Sequence, residues 1–399
     1  MGFHVTFQKA DLAQAMKQAV RFIPSHPTHV IQRFFRLTAD QATRRVDLYA
    51  QNAEGDIRWT LCDQQFGENP AAISQNGVVA IEGRTLYEII KKLPGPHITF
   101  QTNDRDMVTS VSSGKAKYEL LGTDPTLFTD WNSDVSAPTV TVSARDLIQL
   151  LSHTTFAAAG PEDKRITLSG VNLRVDDAGL HAEATNSFRL AKYRIDTDTV
   201  AGDARSAIVP ATSLDRLTAM LPDDDDELVT LELGQTNLVA RWSDDDIRVT
   251  FARLEGVYPD LSRVVPETYK GRATLDREMF LAALDRVHTI CGSVENQLAR
   301  FTLTATEIAI TARAPEIGRV EDRIAITAEG LELETALNVR YLQEALKSFS
   351  ANQQVTLEWT GSGNPIILRP IDQDGLALVL PVRMAESVAP LADTKTKSA

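Results

Sequence analysis

The sequence predicts an α+β protein made of three copies of one domain, each with two helices packed on an antiparallel sheet. An apolar helical stripe recurs at Leu86, Leu214 and Leu342, which are 128 residues apart. Each stripe is followed by strand-like sequence, at 97–101, 228–233 and 354–359. A chain of 399 residues has room for two to four domains. A period of this length also differs from solenoid repeats, which are about 20–50 residues long.

The first copy begins with an amphipathic helix. Leu12, Ala15, Met16 and Val20 share one helical face, and Pro24 follows the last of them. Strands are predicted at 33–37, 46–50 and 57–61. A second helix is predicted at 85–93, where a Pro-Gly pair ends it.

The other two copies repeat this order. Leu147, Leu150 and Leu151 open the second series, and Phe280, Ala283 and Leu284 open the third. We predict domains at 1–130, 138–266 and 272–384, with linkers at 130–138 and 266–272. Residues 385–399 are small, polar and charged, which predicts a disordered tail.

A hairpin in the second copy leads into a polar break. Val171, Leu173 and Val175 alternate with polar residues before an Asp-Asp-Ala-Gly turn, and alternation resumes at Leu180. The second strand then runs into Thr-Asn-Ser-Phe-Arg-Leu at 185–190. Such a break at the rim of a sheet can present a pocket, but many short polar breaks are only turns.

Composition limits the class of protein. No apolar run approaches the roughly 20 residues of a membrane helix, and the N-terminus lacks the layout of a signal peptide. We therefore expect a cytoplasmic protein. Cys62 and Cys291 have no partner spacing, so we expect buried free thiols. The net charge of −13 excludes a surface that is basic all over but permits one basic face.

Three motifs in chain order resemble the bacterial DNA polymerase III beta subunit, the sliding clamp. They are Ala-Thr-Asn-Ser-Phe-Arg-Leu-Ala at 184–191, Val-Tyr-Pro-Asp-Leu-Ser-Arg-Val-Val-Pro at 257–266 and Leu-Val-Leu-Pro-Val-Arg-Met at 378–384. The resemblance covers residues 1–384. It implies a head-to-tail homodimer in which six domains close a ring, with the helices lining a hole for duplex DNA.

The resemblance implies non-specific DNA attraction inside the ring, because topology rather than affinity holds the DNA. Candidate DNA-facing residues are Lys17, Arg21, His26, Arg84, Lys91, Lys92, Arg145, Lys164, Arg165, Arg216, Arg277, Arg286 and Lys347. Each is equally consistent with an ordinary solvated position. Basic positions of the family fall on His26, Ala211 and Thr212, so DNA contact is expected to be weaker or placed elsewhere, with Lys164 and Arg165 as compensating candidates.

The resemblance also implies a peptide cleft between the second and third domains. Its apolar floor would accept Leu and Phe anchors of an extended peptide, and its polar rim would fix the peptide backbone and a Gln side chain. Its candidate residues are Leu168, Thr185, Ser187, Phe188, Arg189, Leu190, Pro259, Arg263, Val264, Asn338, Tyr341, Val379, Leu380, Pro381, Val382, Arg383 and Met384. The alternative is interdomain packing. Asn186, Ser187, Phe188 and Leu380 depart from the family pattern and are expected to alter peptide preference.

Ring closure would pair an edge strand of the first domain with an edge strand of the third domain of a second copy. Tyr118 and Leu120 are the candidates on one side, and Thr289 and Ile290 on the other. Exposed edge strands are normally avoided because they template association. The implied partners are duplex DNA, the polymerase III catalytic subunit, a clamp loader and other proteins with clamp-binding motifs.

No nucleophile elbow, phosphate loop or dinucleotide fingerprint is found, so we expect no enzyme activity and no cofactor. Two alternatives to a clamp remain open at this point. One is a clamp-like scaffold that does not encircle DNA. The other is a metal-dependent nuclease using the aspartate runs at 223–226 and 244–246. A further hypothesis has residues 388–391 folding back over the cleft.

Overall fold

The computed structural model describes residues 2–62, 73–103, 107–131, 137–197, 199–293, 297–349, 353–371 and 374–382. The predicted tail and its hypothesis, as well as Arg383 and Met384, lie outside these residues. The chain forms two compact units. The first comprises Met1–Leu151, Gly170–Ala182 and Ile195–Gly256, and the second comprises Ser152–Ser169, Glu183–Arg194 and Val257–Ala399.

Six α-helices are found in the described residues. They are α1 (Lys9–Ala19), α2 (Gly83–Lys92), α3 (Ala144–Ser152), α4 (Ala211–Thr218), α5 (Arg277–Cys291) and α6 (Val339–Ser348). Each recurring leucine stripe is buried, as Leu86, Leu214 and Leu342 show. α1 ends one residue before the predicted Val20, which begins a short 3₁₀ turn. None of the described helices is both long and apolar enough to cross a lipid bilayer.

The N-termini of three helices are capped by the residue that ends the preceding strand. The side chains of Glu82, Asp276 and Asn338 accept hydrogen bonds from the backbone N–H three residues later. Such a bond satisfies one of the first four helical N–H groups, which have no partner inside the helix. The chain therefore turns directly from strand to helix at these points.

In the described residues, sixteen strands begin in the first unit, and the last three residues of one of them, 183–185, belong to the second unit. They are β1 (His4–Gln8), β2 (Phe34–Asp40), β3 (Arg45–Gln51), β4 (Gly55–Cys62), β5 (Gly77–Glu82), β6 (His97–Asn103), β7 (Val108–Ser113), β8 (Ala116–Leu121), β9 (Thr139–Ser143), β10 (Gly170–Asp176), β11 (Gly179–Thr185), β13 (Val200–Ala201), β14 (Arg205–Pro210), β15 (Leu228–Leu233), β16 (Asn237–Trp242) and β17 (Ile247–Ala252). Their orders are β1-β6-β7-β8, β13-β9-β15-β16-β17-β4-β3-β2-β5 and β14-β10-β11.

The second unit contains the remaining strands. They are β12 (Arg189–Ile195), β18 (Gly271–Asp276), β19 (Leu298–Leu303), β20 (Glu307–Ala314), β21 (Gly318–Ala325), β22 (Thr327–Gly330), β23 (Leu333–Asn338), β24 (Gln354–Trp359), β25 (Ile366–Pro370) and β26 (Gly375–Val379). Their orders are β12-β26-β25-β24-β18-β22 and β21-β20-β19-β23.

Read in chain order, the described elements repeat one half-unit six times: a strand, a helix and three further strands. Apart from short 3₁₀ turns, only the short strands β13 and β22 are extra among the described elements. This order confirms the α+β prediction and the recurrence seen in the leucines. The predicted strands at 228–233 and 354–359 match β15 and β24, and the predicted hairpin is β10–β11.

One prediction about the ring-closing edges is wrong. Thr289 and Ile290 were expected on an edge strand, but they lie in the last turn of α5. The reason is helical periodicity, because Phe280, Leu284 and Val287 bury one face of α5. The edge strands of the four-stranded sheet of the second unit are β21 and β23, and β21 packs beside α5.

Candidate functional site

The predicted polar break is a loop held by its own side chains. The Thr185 hydroxyl donates to the carbonyl of Arg189 at 2.6 Å and accepts from the Ser187 amide at 3.0 Å. The Asn186 carboxamide oxygen accepts from the amides of Phe188 and Arg189, both at 3.0 Å. These bonds hold Ser187 at a φ of 74° and leave the Phe188 ring 59% exposed. Small hydrogen-bonding residues therefore present a large apolar side chain.

Arg189 is the only charged residue of this loop, and it is buried and paired. Its guanidinium lies 4.5 Å from the centre of the Tyr341 ring and 5.4 Å from that of Phe156. It also donates to Glu344. The Arg340 guanidinium reaches the second Glu344 oxygen at 2.7 Å. The arginine therefore braces an aromatic wall instead of offering a free charge to a ligand.

The pKa of Glu344 reflects this arrangement. Burial acts to raise it, but the hydrogen bonds and charges of Arg189 and Arg340 outweigh burial, so the pKa lies below its ordinary value. Glu344 is therefore ionised at neutral pH.

The floor beneath the loop is apolar. Leu190 packs with Leu261, Ile367 and Leu378 in one cluster, and Leu168 and Val379 are also buried. The amide of Leu380 donates to the carbonyl of Phe188 at 2.9 Å, which fixes the chain leaving β26 beside the loop. The Tyr258 hydroxyl accepts from the Thr185 amide at 3.0 Å.

The remaining predicted cleft residues that the structure describes lie in the same unit. Pro259, Arg263, Val264 and Val382 are exposed, and Pro381 is partly buried. Asn338 caps α6 by accepting from the Tyr341 amide at 3.1 Å. Most of the predicted set thus divides into a buried floor and a more exposed apolar rim.

Arg165 belongs to this site, although the sequence suggested only a DNA-facing role. Its guanidinium donates to the Ser187 hydroxyl at 2.6 Å and makes two bonds to Asp163, at 3.0 and 2.8 Å. These bonds lower the pKa of Asp163 to about 2. No spacing in a single sequence reveals a contact between residues 165 and 187.

All but two of the candidate DNA-facing residues fall into two groups. Lys17, Arg21, Lys92, Lys164 and Lys347 are exposed and make no ion pair with any described residue. Several others have acidic partners: Lys91 with Glu88, Arg145 with Asp223 and Asp225, Arg165 with Asp163, Arg216 with Glu54, Arg277 with Glu278, and Arg286 with Asp322. Arg84 donates to the carbonyl of Ile23 at 2.6 Å, and His26 is exposed.

The helices carry a charge opposite to that of the whole chain. The six helices of the described residues together hold eleven Lys and Arg residues and seven Asp and Glu residues, whereas the whole chain holds 41 and 54. Positive charge is therefore concentrated on helices and acidic charge elsewhere. At the family's basic positions in α4, Ala211 is buried and Thr212 is exposed and uncharged.

The aspartate runs do not form a metal centre in the described part of the chain, where no group of three or more His, Cys, Asp or Glu residues could hold an ion. Asp223 and Asp225 bind Arg145. The Asp224 carboxylate accepts from the Asp226 amide at 3.0 Å. Cys291 is a buried free thiol, as predicted.

The ring-closing candidates lie on one sheet edge, β8, and on helix α5 beside a second sheet edge. β8 is the last strand of its four-stranded sheet, with Tyr118 40% and Leu121 76% exposed. β21 is the last strand of the other four-stranded sheet. Thr289 and Ile290 lie on α5, which is joined to β21 by the ion pair of Arg286 and Asp322 at 2.5 Å.

The fold and these features define a protein of the DNA clamp class: repeated half-units of helix and sheet, basic helices and an apolar cleft. Comparison with known proteins identifies the family. Family models for the N-terminal, central and C-terminal domains of the DNA polymerase III beta subunit match residues 3–129, 141–260 and 262–383. The chain belongs to the family of bacterial DNA polymerase III beta subunits, the beta sliding clamps.

Individual relatives agree with this assignment. The chain is 28% identical over 354 residues to the beta sliding clamp of Staphylococcus epidermidis, covering 86% of this chain and 90% of that protein. The sliding clamp structure from Bacillus subtilis matches with a TM-score of 0.90 at 25% identity, covering 96% of this chain and all of that one. A Pseudomonas aeruginosa sliding clamp bound to griselimycin shares the fold, with a TM-score of 0.87 at 22% identity and the same coverage.

Proposed function

We propose that this chain forms a homodimeric ring around duplex DNA and tethers a replicative polymerase to it. The observation that carries the proposal is the contrast in charge, since the helices are basic while the chain as a whole is acidic. A basic lining attracts phosphates of any sequence, and an acidic exterior repels them. Lys17, Arg21, Lys92 and Lys347 are the exposed helix-side cations that make no described ion pair, and we assign the DNA contact chiefly to them.

We assign partner binding to the cleft formed by the loop at 185–189, the floor at Leu190 and Val379, and the rim at Val264 and Val382. An extended peptide with Leu and Phe anchors fits an apolar floor with exposed apolar rims. Because Glu344 neutralises Arg189, the base of the cleft selects apolar and uncharged polar side chains. The partners we propose are the polymerase III catalytic subunit, the clamp loader and other proteins with clamp-binding motifs.

In this proposal the protein works in the cytoplasm and catalyses no reaction itself. It is organised in domains at 1–130, 138–266 and 272–384, bounds that remain a prediction. Its two ring-closing junctions form between β8 of one copy and β21 of the other, with Thr289 and Ile290 of α5 beside β21.

Processive synthesis tests this function. Primed circular template, polymerase and clamp loader are incubated with ATP, with and without the protein, and product length is measured after a single polymerase binding event. We expect longer products only when the protein is present. Unchanged product length, with the loader shown to be active on another clamp, would remove the processivity role.

A further inference from the structure

A cavity of about 520 Å³ lies on the long sheet of the second unit, where β22, β18, β24 and β25 run side by side. Ala273, Leu275 and Leu357 point from these strands into the core that holds α5 and α6. Because side chains alternate between the faces of a sheet, the cavity lies on the opposite face. Its volume falls within the roughly 300–1,000 Å³ of small-ligand sites, and its lining residues all differ from those of the cleft.

A row of hydroxyl groups forms the floor of this cavity. Thr274 lies opposite Thr327 of β22 on one side and opposite Thr356 of β24 on the other. Thr356 in turn lies opposite Arg369 of β25. Side chains directly opposite each other in a sheet have Cβ atoms about 4.5–5.5 Å apart. Three hydroxyls and one guanidinium therefore stand side by side.

A charged row runs beside the hydroxyl row, two residues further along the strands. Arg272 lies opposite Glu329 on one side and opposite Glu358 on the other. Since residues two apart in a strand share a face, Arg272 projects on the same face as Thr274. The two central hydroxyls of the floor therefore lie between two arginines, Arg272 and Arg369.

The Thr356 hydroxyl is buried and unsatisfied. The residue is 3% exposed, and its hydroxyl oxygen has no hydrogen-bond partner among the described residues. A buried polar group without a partner carries the cost of its lost hydration. Because Thr356 lines the cavity, a ligand there can supply the missing partner.

Glu358 holds both arginines in place and leaves donors for a ligand. Its carboxylate accepts from the Nε of Arg369 at 2.9 Å and lies 3.6 Å from the Nε of Arg272. The Nη2 of Arg369 donates to the Tyr269 hydroxyl at 3.1 Å. The terminal nitrogens of Arg272 make no bond with any described residue, and its side chain is 59% exposed. The carboxylate therefore occupies one edge of each guanidinium and leaves other N–H groups for an anion.

We propose that this cavity is a phosphate-binding site, with the phosphate seated over the two central threonines, between Arg272 and Arg369. Hydroxyl and guanidinium groups donate hydrogen bonds to phosphate oxygens, and the planar guanidinium suits phosphate geometry. The phosphate supplies the acceptor that the Thr356 hydroxyl lacks. Pro370 forms part of the wall, and the remaining volume has room for a small molecule that carries the phosphate. Such a site adds a small ligand to the DNA and protein partners proposed above.

Glu329 limits the strength of this site. It is exposed on β22, at the edge of the sheet, and lies opposite Arg272. Its negative charge repels an anion held by Arg272, and such a repulsion between exposed groups is weakened by water. The expected consequence is a modest affinity for phosphate that rises when this charge is removed.

Calorimetric titration of the full-length protein tests the site. Inorganic phosphate, adenosine monophosphate and adenosine are titrated in a phosphate-free buffer, and we expect both phosphates to bind and adenosine not to bind. Equal affinities would identify the free phosphate ion as the ligand, and tighter binding of the monophosphate would identify a phosphorylated small molecule. Absence of binding by both phosphates, or binding of adenosine as tight as that of its monophosphate, would overturn the proposal.

Thr356→Val separates binding from folding. It removes the hydroxyl and keeps the shape of the side chain, so the affinity for inorganic phosphate should fall about tenfold. The Tm should not fall, because the hydroxyl makes no hydrogen bond with the described residues. Thr302→Val, at an exposed position of β19 outside the cavity, is the matched control and should change neither quantity. Unchanged phosphate affinity in Thr356→Val would overturn the site.

Two charge variants test where the phosphate lies. Arg272→Ala should lower the affinity for inorganic phosphate about tenfold, because a charge-assisted hydrogen bond is lost. Glu329→Gln should raise this affinity several-fold, because an opposing charge is removed. A fall in affinity in Glu329→Gln, or no change in Arg272→Ala, would place the anion elsewhere and overturn the assignment.

Discussion

Arg189 and Glu344 are bonded to each other at the base of the cleft although 155 positions separate them in the chain. The arginine is 10% exposed and the glutamate 26% exposed. Because the arginine is largely shielded from water, its charge depends on the glutamate. The consequences of removing this ion pair can be tested without any ligand.

Removing the carboxylate should destabilise the second unit. Glu344→Ala leaves the Arg189 guanidinium buried without its acidic partner, and we expect a loss of about 3 kcal/mol in the free energy of unfolding, measured with urea. Arg340→Ala removes the exposed arginine from the same carboxylate and should cost under about 1 kcal/mol. Equal effects of the two substitutions would contradict the structural role given to Arg189.

The same carboxylate predicts a dependence on pH. The pKa of Glu344 is lowered in the folded state, so its contribution to stability is fully present above the unfolded value of about 4.5. That contribution is lost as the pH falls through the folded pKa. The stability difference between the native chain and Glu344→Gln should therefore be constant from pH 7 to 5 and shrink below pH 4.5. A difference that grows on acidification would show that the sign is wrong.

Phe188 should act in binding rather than in stability. Its ring is 59% exposed, so Phe188→Ala should leave the unfolding free energy nearly unchanged. It should lower the affinity of the cleft for a fluorescent peptide with Leu and Phe anchors about tenfold, because an apolar contact is lost. Met279→Ala, with a side chain 57% exposed on α5, is the matched control and should leave peptide affinity unchanged. Loss of affinity in both variants would indicate a general effect on the fold.

The free helix lysines should dominate the DNA contact. Lys92 makes no described ion pair, whereas Arg145 is already bonded to Asp223 and Asp225. Lys92→Ala should reduce the slope of log affinity against log salt by about 0.9, the value for one phosphate contact. Arg145→Ala should change it much less. A larger change in this slope for Arg145→Ala than for Lys92→Ala would show that α2 is not part of the DNA-facing surface.

Much of the fold could be predicted because it follows from local periodicity. The stripes at Leu86, Leu214 and Leu342 predicted three helices, and the strands after them were found within a few residues of their predicted bounds. Alternation around 176–179 likewise predicted the β10–β11 hairpin. Burial of an apolar face is a property of each segment, so it can be read from one sequence.

Less of the candidate site could be predicted from the sequence, because the contacts that form it join residues far apart in the chain. The bonds of Arg165 to Ser187 and of Arg189 to Glu344 depend on tertiary placement. Thr289 and Ile290 were misplaced for a different, local reason: their helix was predicted at its start, from Phe280 to Leu284, but its apolar periodicity was not followed to its end at Cys291. Several Lys and Arg residues that the sequence offered as DNA contacts are paired with Asp or Glu in the fold. Residue type alone does not reveal such pairing.

Topological binding is the central claim, and retention on closed and open DNA tests it most directly. The protein is loaded onto nicked circular DNA with a clamp loader and ATP, then separated from free protein by gel filtration before and after a restriction cut. We predict that it stays on circles in high salt and leaves within the time of the cut when the DNA is linearised. Equal release from both DNAs would contradict encirclement.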